Sequence, residues 1–134
     1  MRKIKFRAMR NNGKWVIGNY VHHFISYFDT IERHSIFLSK SENDNGGHWV
    51  EDIITKTIGQ FTGLYDKDGK EIYEGDILDF NGLTVEVRFV RGVFAFLVNG
   101  NLDDELCGDC RTDLFAKVIG NVYENPDILK GGNK

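Results

Sequence analysis

The chain has 134 residues, which fits one small domain, and its hydrophobic fraction of 41% is enough to form a buried core. Seventeen Lys and Arg against 20 Asp and Glu give a net charge of −3, which excludes a surface that is basic throughout, as in proteins that coat nucleic acid. Ten Phe, five Tyr and two Trp exclude a disordered chain, and 15 Gly against one Pro indicate many turns. Any basic binding surface must therefore be local.

The first predicted strand comes from residues 3–8, which alternate strictly between apolar and basic side chains. One face of the strand is apolar and consists of Ile4, Phe6 and Ala8. The other face is basic and consists of Lys3, Lys5 and Arg7. The turn-forming residues 11–13 separate this strand from a second apolar segment over 15–21. The chain is therefore predicted to begin with a β-hairpin.

The remainder of the first half is less regular. Residues 24–38 predict one or two strands, and the polar run 39–47 predicts a long loop. We expect a single domain over 1–134. If it has two sub-lobes, they divide near this loop and cover 1–56 and 57–130.

The second half predicts a succession of short antiparallel strands joined by tight turns. Asn81-Gly82 is the strongest hairpin signal, and Gly69 suits a loop residue in the left-handed conformation. The segment 93–98 is apolar on both faces, which predicts a central strand covered on both sides. Asn125-Pro126 predicts a short helical turn, because Asn suits the residue before a helix and Pro its first position. The predicted strands cover 58–65, 71–73, 75–80, 83–90, 93–98 and 117–123.

The cellular compartment is predicted from the lack of a secretory signal and of a membrane-spanning segment in the sequence. The N-terminus has basic residues without an apolar segment behind them, and no apolar stretch approaches the roughly 18 residues of a membrane helix. We therefore expect a cytoplasmic protein without a membrane partner. Cys107 and Cys110 do not make the disulfide framework of a secreted domain. Their C-x-x-C spacing is compatible with free thiols in a turn, with half of a zinc site or with a redox dithiol.

No pattern in the sequence anchors a catalytic mechanism. Nucleophile, phosphate-loop and zinc-protease motifs are absent, and the adjacent His22 and His23 would point to opposite faces of a strand. The run Asp66-x-Asp68-Gly69 suggests a calcium loop, but its spacing leaves the first and last ligand positions without acidic residues and favours a simple turn. We predict a protein that is not an enzyme, with no catalytic residue, no resident metal and no cofactor.

The N-terminal segment carries the most distinctive charge pattern, with six basic side chains and no acidic one in the first 14 residues. A strand that presents such side chains beside aromatic rings can lie along a phosphate backbone and stack on bases. The candidate nucleic-acid-binding residues are Lys3, Lys5, Arg7, Arg10 and Trp15. Two other interpretations stay open: the basic residues protect a strand edge from aggregation, or they dock on an acidic patch such as 103–105 of a second copy in a homo-oligomer.

Three segments of the chain have a distinctive sequence. They are Ile4–Met9, TIGQFTGLYDKDGKEIYEGDIL from Thr57 to Leu78, and VIGNVYENPDIL from Val118 to Leu129, of which the central one is the longest and most specific. Together they resemble the YopX family of small phage and prophage proteins. The resemblance implies a largely β fold and action in the cytoplasm of a bacterial host, but no activity and no functional residues. We therefore predict a mainly β fold: a small bent antiparallel sheet or barrel, an SH3-like meander, with an N-terminal β-hairpin region and a short C-terminal helical turn.

The expected function is that of a non-catalytic binding or regulatory module, encoded by a phage or prophage, that acts on a macromolecule of the host or the phage. The alternative is a nucleic-acid-binding accessory protein that uses the basic N-terminal strand. Strong salt dependence of binding would separate the two.

Overall fold

Strands predominate in the computed structural model, which describes residues 3–24, 32–38, 47–101 and 111–131. The prediction of a mainly β fold is confirmed, and within these ranges the strands form open antiparallel sheets rather than a closed barrel. No helix in the described ranges is long and apolar enough to cross a membrane.

Three features predicted from the sequence lie outside the described residues. They are the greater part of the loop over 39–47, the acidic patch 103–105, and the pair Cys107 and Cys110. The chain divides into two compact units, Met1–Gln60 and Phe61–Lys134.

The first unit is built on an antiparallel sheet. Its strands are β1 (Phe6–Met9), β2 (Trp15–Phe24), β3 (Glu32–Leu38) and β4 (His48–Val50). They lie in the order β4-β3-β2-β1, and the first residues of β5 (Gly59–Tyr65), which follows a 3-10 turn at Thr55–Thr57, pair with β1. The predicted N-terminal hairpin is confirmed, since β1 and β2 pair antiparallel across the turn at 11–13.

The core of the first unit lies on one face of this sheet. Its buried side chains are those of Ala8, Ile36, Val50 and Ile53. Phe6 packs against this cluster, so the predicted apolar face of the first strand is confirmed for Phe6 and Ala8. The prediction is wrong for Ile4, which is 66% exposed because β1 begins only at Phe6.

Two buried hydroxyl groups of the first unit differ in their partners. Thr57 Oγ1 accepts a hydrogen bond from the backbone N–H of Met9 at 2.8 Å and donates one to the carbonyl of Ile54 at 2.6 Å. Ser35 is equally buried, but its Oγ has no hydrogen-bond partner among the residues that the structure describes. Thr57 therefore ties the 3-10 turn to β1, whereas the hydroxyl of Ser35 is removed from water and no described residue compensates for it with a hydrogen bond.

The second unit contains the rest of β5, the short β6 (Glu71–Tyr73), a four-stranded sheet and two short helices. The sheet strands are β7 (Asp76–Phe80), β8 (Leu83–Val90), β9 (Val93–Val98) and β10 (Ala116–Asn121), in the order β10-β7-β8-β9. Helix α1 (Thr112–Phe115) was not predicted from the sequence, whereas α2 (Pro126–Gly131) is the predicted C-terminal turn and begins at Pro126 as expected.

The hairpin between β7 and β8 confirms the strongest local signal in the sequence. Asn81 and Gly82 have φ values of 52° and 90°, and a type I′ turn requires positive φ at both positions. The next connection repeats this geometry with Arg91 and Gly92, so that β7, β8 and β9 form the predicted meander.

The position of β9 differs from the prediction. In the order of the described strands it lies at the edge of its sheet and not at the centre. Its consecutive residues Ala95, Phe96 and Leu97 are nevertheless buried, because Phe96 joins the core cluster on one face while α2 packs against the same sheet through β8. An uninterrupted apolar run thus predicts that both faces of the strand are buried, but it does not predict whether the strand lies at the centre or the edge of the sheet.

Candidate functional site

The acidic motif at 66–69 is a turn held by its own backbone. Asp66 is buried, and its Oδ1 accepts hydrogen bonds from the backbone N–H groups of Asp68 at 2.9 Å and Lys70 at 2.8 Å. Its Oδ2 accepts a third from the N–H of Val118 at 3.0 Å, which joins the turn to β10. Burial raises the pKa of Asp66, but the three N–H donors and the charge of Lys70 outweigh it and lower that pKa below its ordinary value.

The neighbouring Glu74-Gly75-Asp76 run also serves the backbone. Asp76 is 1% exposed, and its Oδ2 accepts the backbone N–H of Tyr73 at 2.8 Å. Gly75 has a φ of 93°, and a Cβ there would lie 2.9 Å from the ring of Tyr123. Asp66 and Asp76 therefore both hold the backbone of this segment in place.

A candidate functional surface is offered by the first sheet, on the face opposite its core. Arg7 on β1 pairs with Ile17 on β2. Two residues further along β2, Asn19 pairs with Phe37 on β3, and Phe37 pairs with Trp49 on β4. Because side chains alternate along a strand, these residues lie on the side of the sheet away from Ala8 and Ile36. We call this surface the outer face. Its described side chains on β1 to β4 are those of Arg7, Met9, Trp15, Ile17, Asn19, Val21, Ser35, Phe37 and Trp49, of which Ser35 is fully buried.

Two of the sequence-predicted binding residues meet on the outer face. The guanidinium carbon of Arg7 lies 4.7 Å from the ring centroid of Trp15, a distance at which a cation is attracted to the face of an indole. Lys5 and Lys3 lie in the segment just before β1, where Lys5 is half-buried and Lys3 is exposed. The stack holds the Arg7 side chain in one place, so its charge is presented at a fixed point of the face.

Arg10, another of the candidate binding residues, forms an ion pair with Asp52. Its guanidinium Nε donates to both carboxylate oxygens of Asp52, at 3.2 and 3.1 Å, and a terminal nitrogen lies 3.1 Å from Oδ1. This hydrogen bond from Arg10 lowers the pKa of Asp52, so the pair carries no net charge near neutral pH. The backbone N–H of Asn11 donates to the Asp52 carbonyl beside it. Arg10 thus fastens the β1–β2 turn to the segment after β4.

Sequence reasoning missed the aromatic part of the outer face. The rings of Phe37 and Trp49 have centroids 4.9 Å apart and are tilted by 56°. Trp49 is 55% exposed and Ile17 is 48% exposed. Trp49 is followed by the buried Val50, but β4 has only three residues and gives no period long enough to predict which face of the sheet Trp49 occupies.

The charge of the protein is distributed unevenly between its two units. The first unit carries nine Lys and Arg against six Asp and Glu, a net charge of +3, and the second carries eight against 14, a net charge of −6. None of the outer-face side chains named above is acidic. The basic character predicted for the N-terminal strand therefore extends to the whole unit that bears it.

Two of the histidines, His22 and His34, lie on the core side of the same sheet. His22 and His34 are stacked with centroids 4.6 Å apart, and Tyr20 Oη lies 2.6 Å from Nδ1 of His34. Parallel rings direct their nitrogens sideways rather than toward a shared ion. In the described ranges, no three His, Cys, Asp or Glu side chains are grouped so that they could hold a metal ion.

Comparison with known proteins places these features in a family. In fold, the chain is similar to the crystal structure of protein EF1440 from Enterococcus faecalis, with a TM-score of 0.60, 24% identity and coverage of 96% of this chain and 99% of that one. No match was found among curated protein sequences. The sequence profile described as YopX protein matches residues 5–130, nearly the whole chain. The chain therefore belongs to the YopX family.

Proposed function

We propose that the protein is a non-catalytic binding module that engages nucleic acid, of the bacterial host or of a phage, through the outer face of its first sheet. The observation that carries this proposal is the stack of Arg7 on Trp15. A guanidinium fixed on an indole is well suited to contact a phosphate, because little side-chain freedom is lost on binding. Lys5 and Lys3, in the segment just before β1, add two further positive charges close to Arg7 in the chain.

The net charge of the whole chain, −3, does not oppose this proposal. Electrostatic attraction to a polyanion is screened beyond about 10 Å at ordinary ionic strength, so the local field decides. The outer face belongs to the unit with a net charge of +3, and its described side chains include no acid to repel phosphate.

The test is a titration of fluorescently labelled oligonucleotides with the purified protein, followed by anisotropy at about 50 mM and about 200 mM salt. One variant carries Lys5→Gln and Arg7→Gln. The matched control carries Lys67→Gln and Lys117→Gln, which remove the same charge from exposed positions of the second unit. Both variants have the same net charge, so only the place of the charge differs.

Each phosphate contact with a single strand contributes about 0.7 to the slope of log K against log salt. The outer-face variant should therefore flatten this slope by about 1.4, whereas the control should keep the wild-type slope. Equal effects of the two variants, or no binding at low salt, would contradict the proposal. Salt-sensitive self-association without oligonucleotide binding would favour docking on a second copy instead.

A further inference from the structure

Trp49 is the most prominent aromatic side chain of the outer face. It is 55% exposed, and its tilted contact with Phe37 orients the indole without covering it. The indole of Trp15, by contrast, is half-buried and has Arg7 over its ring. The two tryptophans of the chain are therefore suited to different tasks: Trp15 positions a cation, and Trp49 presents a planar apolar surface.

The cation of Arg7 and the indole of Trp49 lie on different strands of the sheet. Arg7 is on β1 and Trp49 is on β4, three strand spacings apart, which corresponds to about 14 Å across the face. Four-stranded sheets of this width can accommodate about two or three bases of an RNA strand stacked on aromatic side chains of one face. The outer face thus has room for a phosphate contact at one side and a base contact at the other.

We infer that the outer face binds single-stranded nucleic acid, with Trp49 stacking on a base and with Arg7 and Lys5 contacting phosphates. This inference rests on the proposed function. A duplex suits the same surface less well, because its bases are already stacked and a sheet of four strands, about 14 Å from the first to the fourth, is wider than a major groove of about 12 Å. Extended single strands expose the faces of their bases, and stacking on Trp requires no particular sequence.

The experiment compares three labelled probes of equal length, about 12 nucleotides, a length within the usual range of single-strand binding sites. They are oligothymidylate, the same sugar-phosphate chain without bases, and a duplex. The variants are Trp49→Ala, Trp49→Phe and, as a matched control, Phe89→Ala, which removes a similarly exposed aromatic ring (48%) from a strand of the second unit. Circular dichroism confirms that each variant folds.

Wild type should bind oligothymidylate about tenfold more tightly than the chain without bases, which is the effect of stacking one base on an aromatic ring. Trp49→Ala should lower the affinity for oligothymidylate to the level of the baseless chain and leave the affinity for the baseless chain unchanged. Trp49→Phe should restore most of the difference, and Phe89→Ala should behave as wild type. Stacking should also quench tryptophan fluorescence in wild type but not in Trp49→Phe.

The outcomes separate this inference from the proposed function. Equal affinity for duplex and single strand, together with no effect of Trp49→Ala, overturns single-strand stacking but leaves nucleic-acid binding intact. Absence of binding to all three probes at low salt overturns both.

Discussion

Replacing Asp66 with Asn is expected to destabilise the protein strongly, although the side chain keeps its size. Asn can keep one oxygen for the N–H groups of Asp68 and Lys70, but its NH₂ group then faces the N–H of Val118. A buried donor left without an acceptor costs about 2 to 3 kcal/mol, and weakening the other two bonds from charged to neutral adds about 1 kcal/mol. The expected loss of unfolding free energy is therefore about 3 to 4 kcal/mol.

The assay is urea denaturation followed by far-UV circular dichroism, because both tryptophans lie in the first unit and Asp66 lies in the second. In thermal unfolding followed by the same signal, the loss of unfolding free energy corresponds, for a chain of this size, to a fall in Tm of roughly 12 to 16 °C. Asp68→Asn is the matched control, since it removes the same charge from an exposed side chain of the same turn. A stability of Asp66→Asn within about 1 kcal/mol of wild type would refute the role assigned to this carboxylate.

Further predictions concern pH, buried hydroxyls and a glycine. The pKa of Asp66 is lower in the folded than in the unfolded state, so the ionised carboxylate stabilises the fold fully above the unfolded pKa of about 3.9. This stabilisation is lost as the pH falls through the folded-state pKa. The Tm values of wild type and Asp66→Asn should therefore converge in acid. In urea denaturation followed by tryptophan fluorescence, Thr57→Val should cost about 2 kcal/mol, whereas Ser35→Ala should be neutral or stabilise by up to about 1 kcal/mol. An equal loss in both would contradict the hydrogen-bond assignment. Gly120→Ala should lower stability by about 1 to 2 kcal/mol, because its Cβ would lie 2.5 Å from Oδ1 of Asn125; an unchanged thermal transition would argue against it.

Much of the local structure could be predicted from short stretches of sequence. The two-residue turn Asn81-Gly82 and the helical start at Pro126 were placed correctly, because backbone preferences act over a few residues. The alternation of Phe6 and Ala8 likewise identified the buried face of β1. The same alternation failed at Ile4, since a periodic pattern does not say where pairing with a neighbouring strand begins.

The candidate site was predictable only in part. Arg7 and Trp15 were chosen from the sequence and are in contact, but Arg10 was grouped with them on charge alone. Its partner, Asp52, is 42 residues away in the chain, and no local pattern connects the two. Trp49 was not chosen, because its place beside Phe37 depends on the register of β3 and β4.

The sequence by itself determined the mainly β class, most of the turns, the basic N-terminal strand and membership of the YopX family. Only the tertiary structure decided that Asp66 binds the N–H of Val118, that β9 lies at a sheet edge, and that Arg7 and Trp49 share one face. The physical reason is the range of the forces involved. Turn and strand preferences act between neighbours in the chain, whereas register and burial are fixed by contacts between residues far apart in it, whose energies no short segment contains.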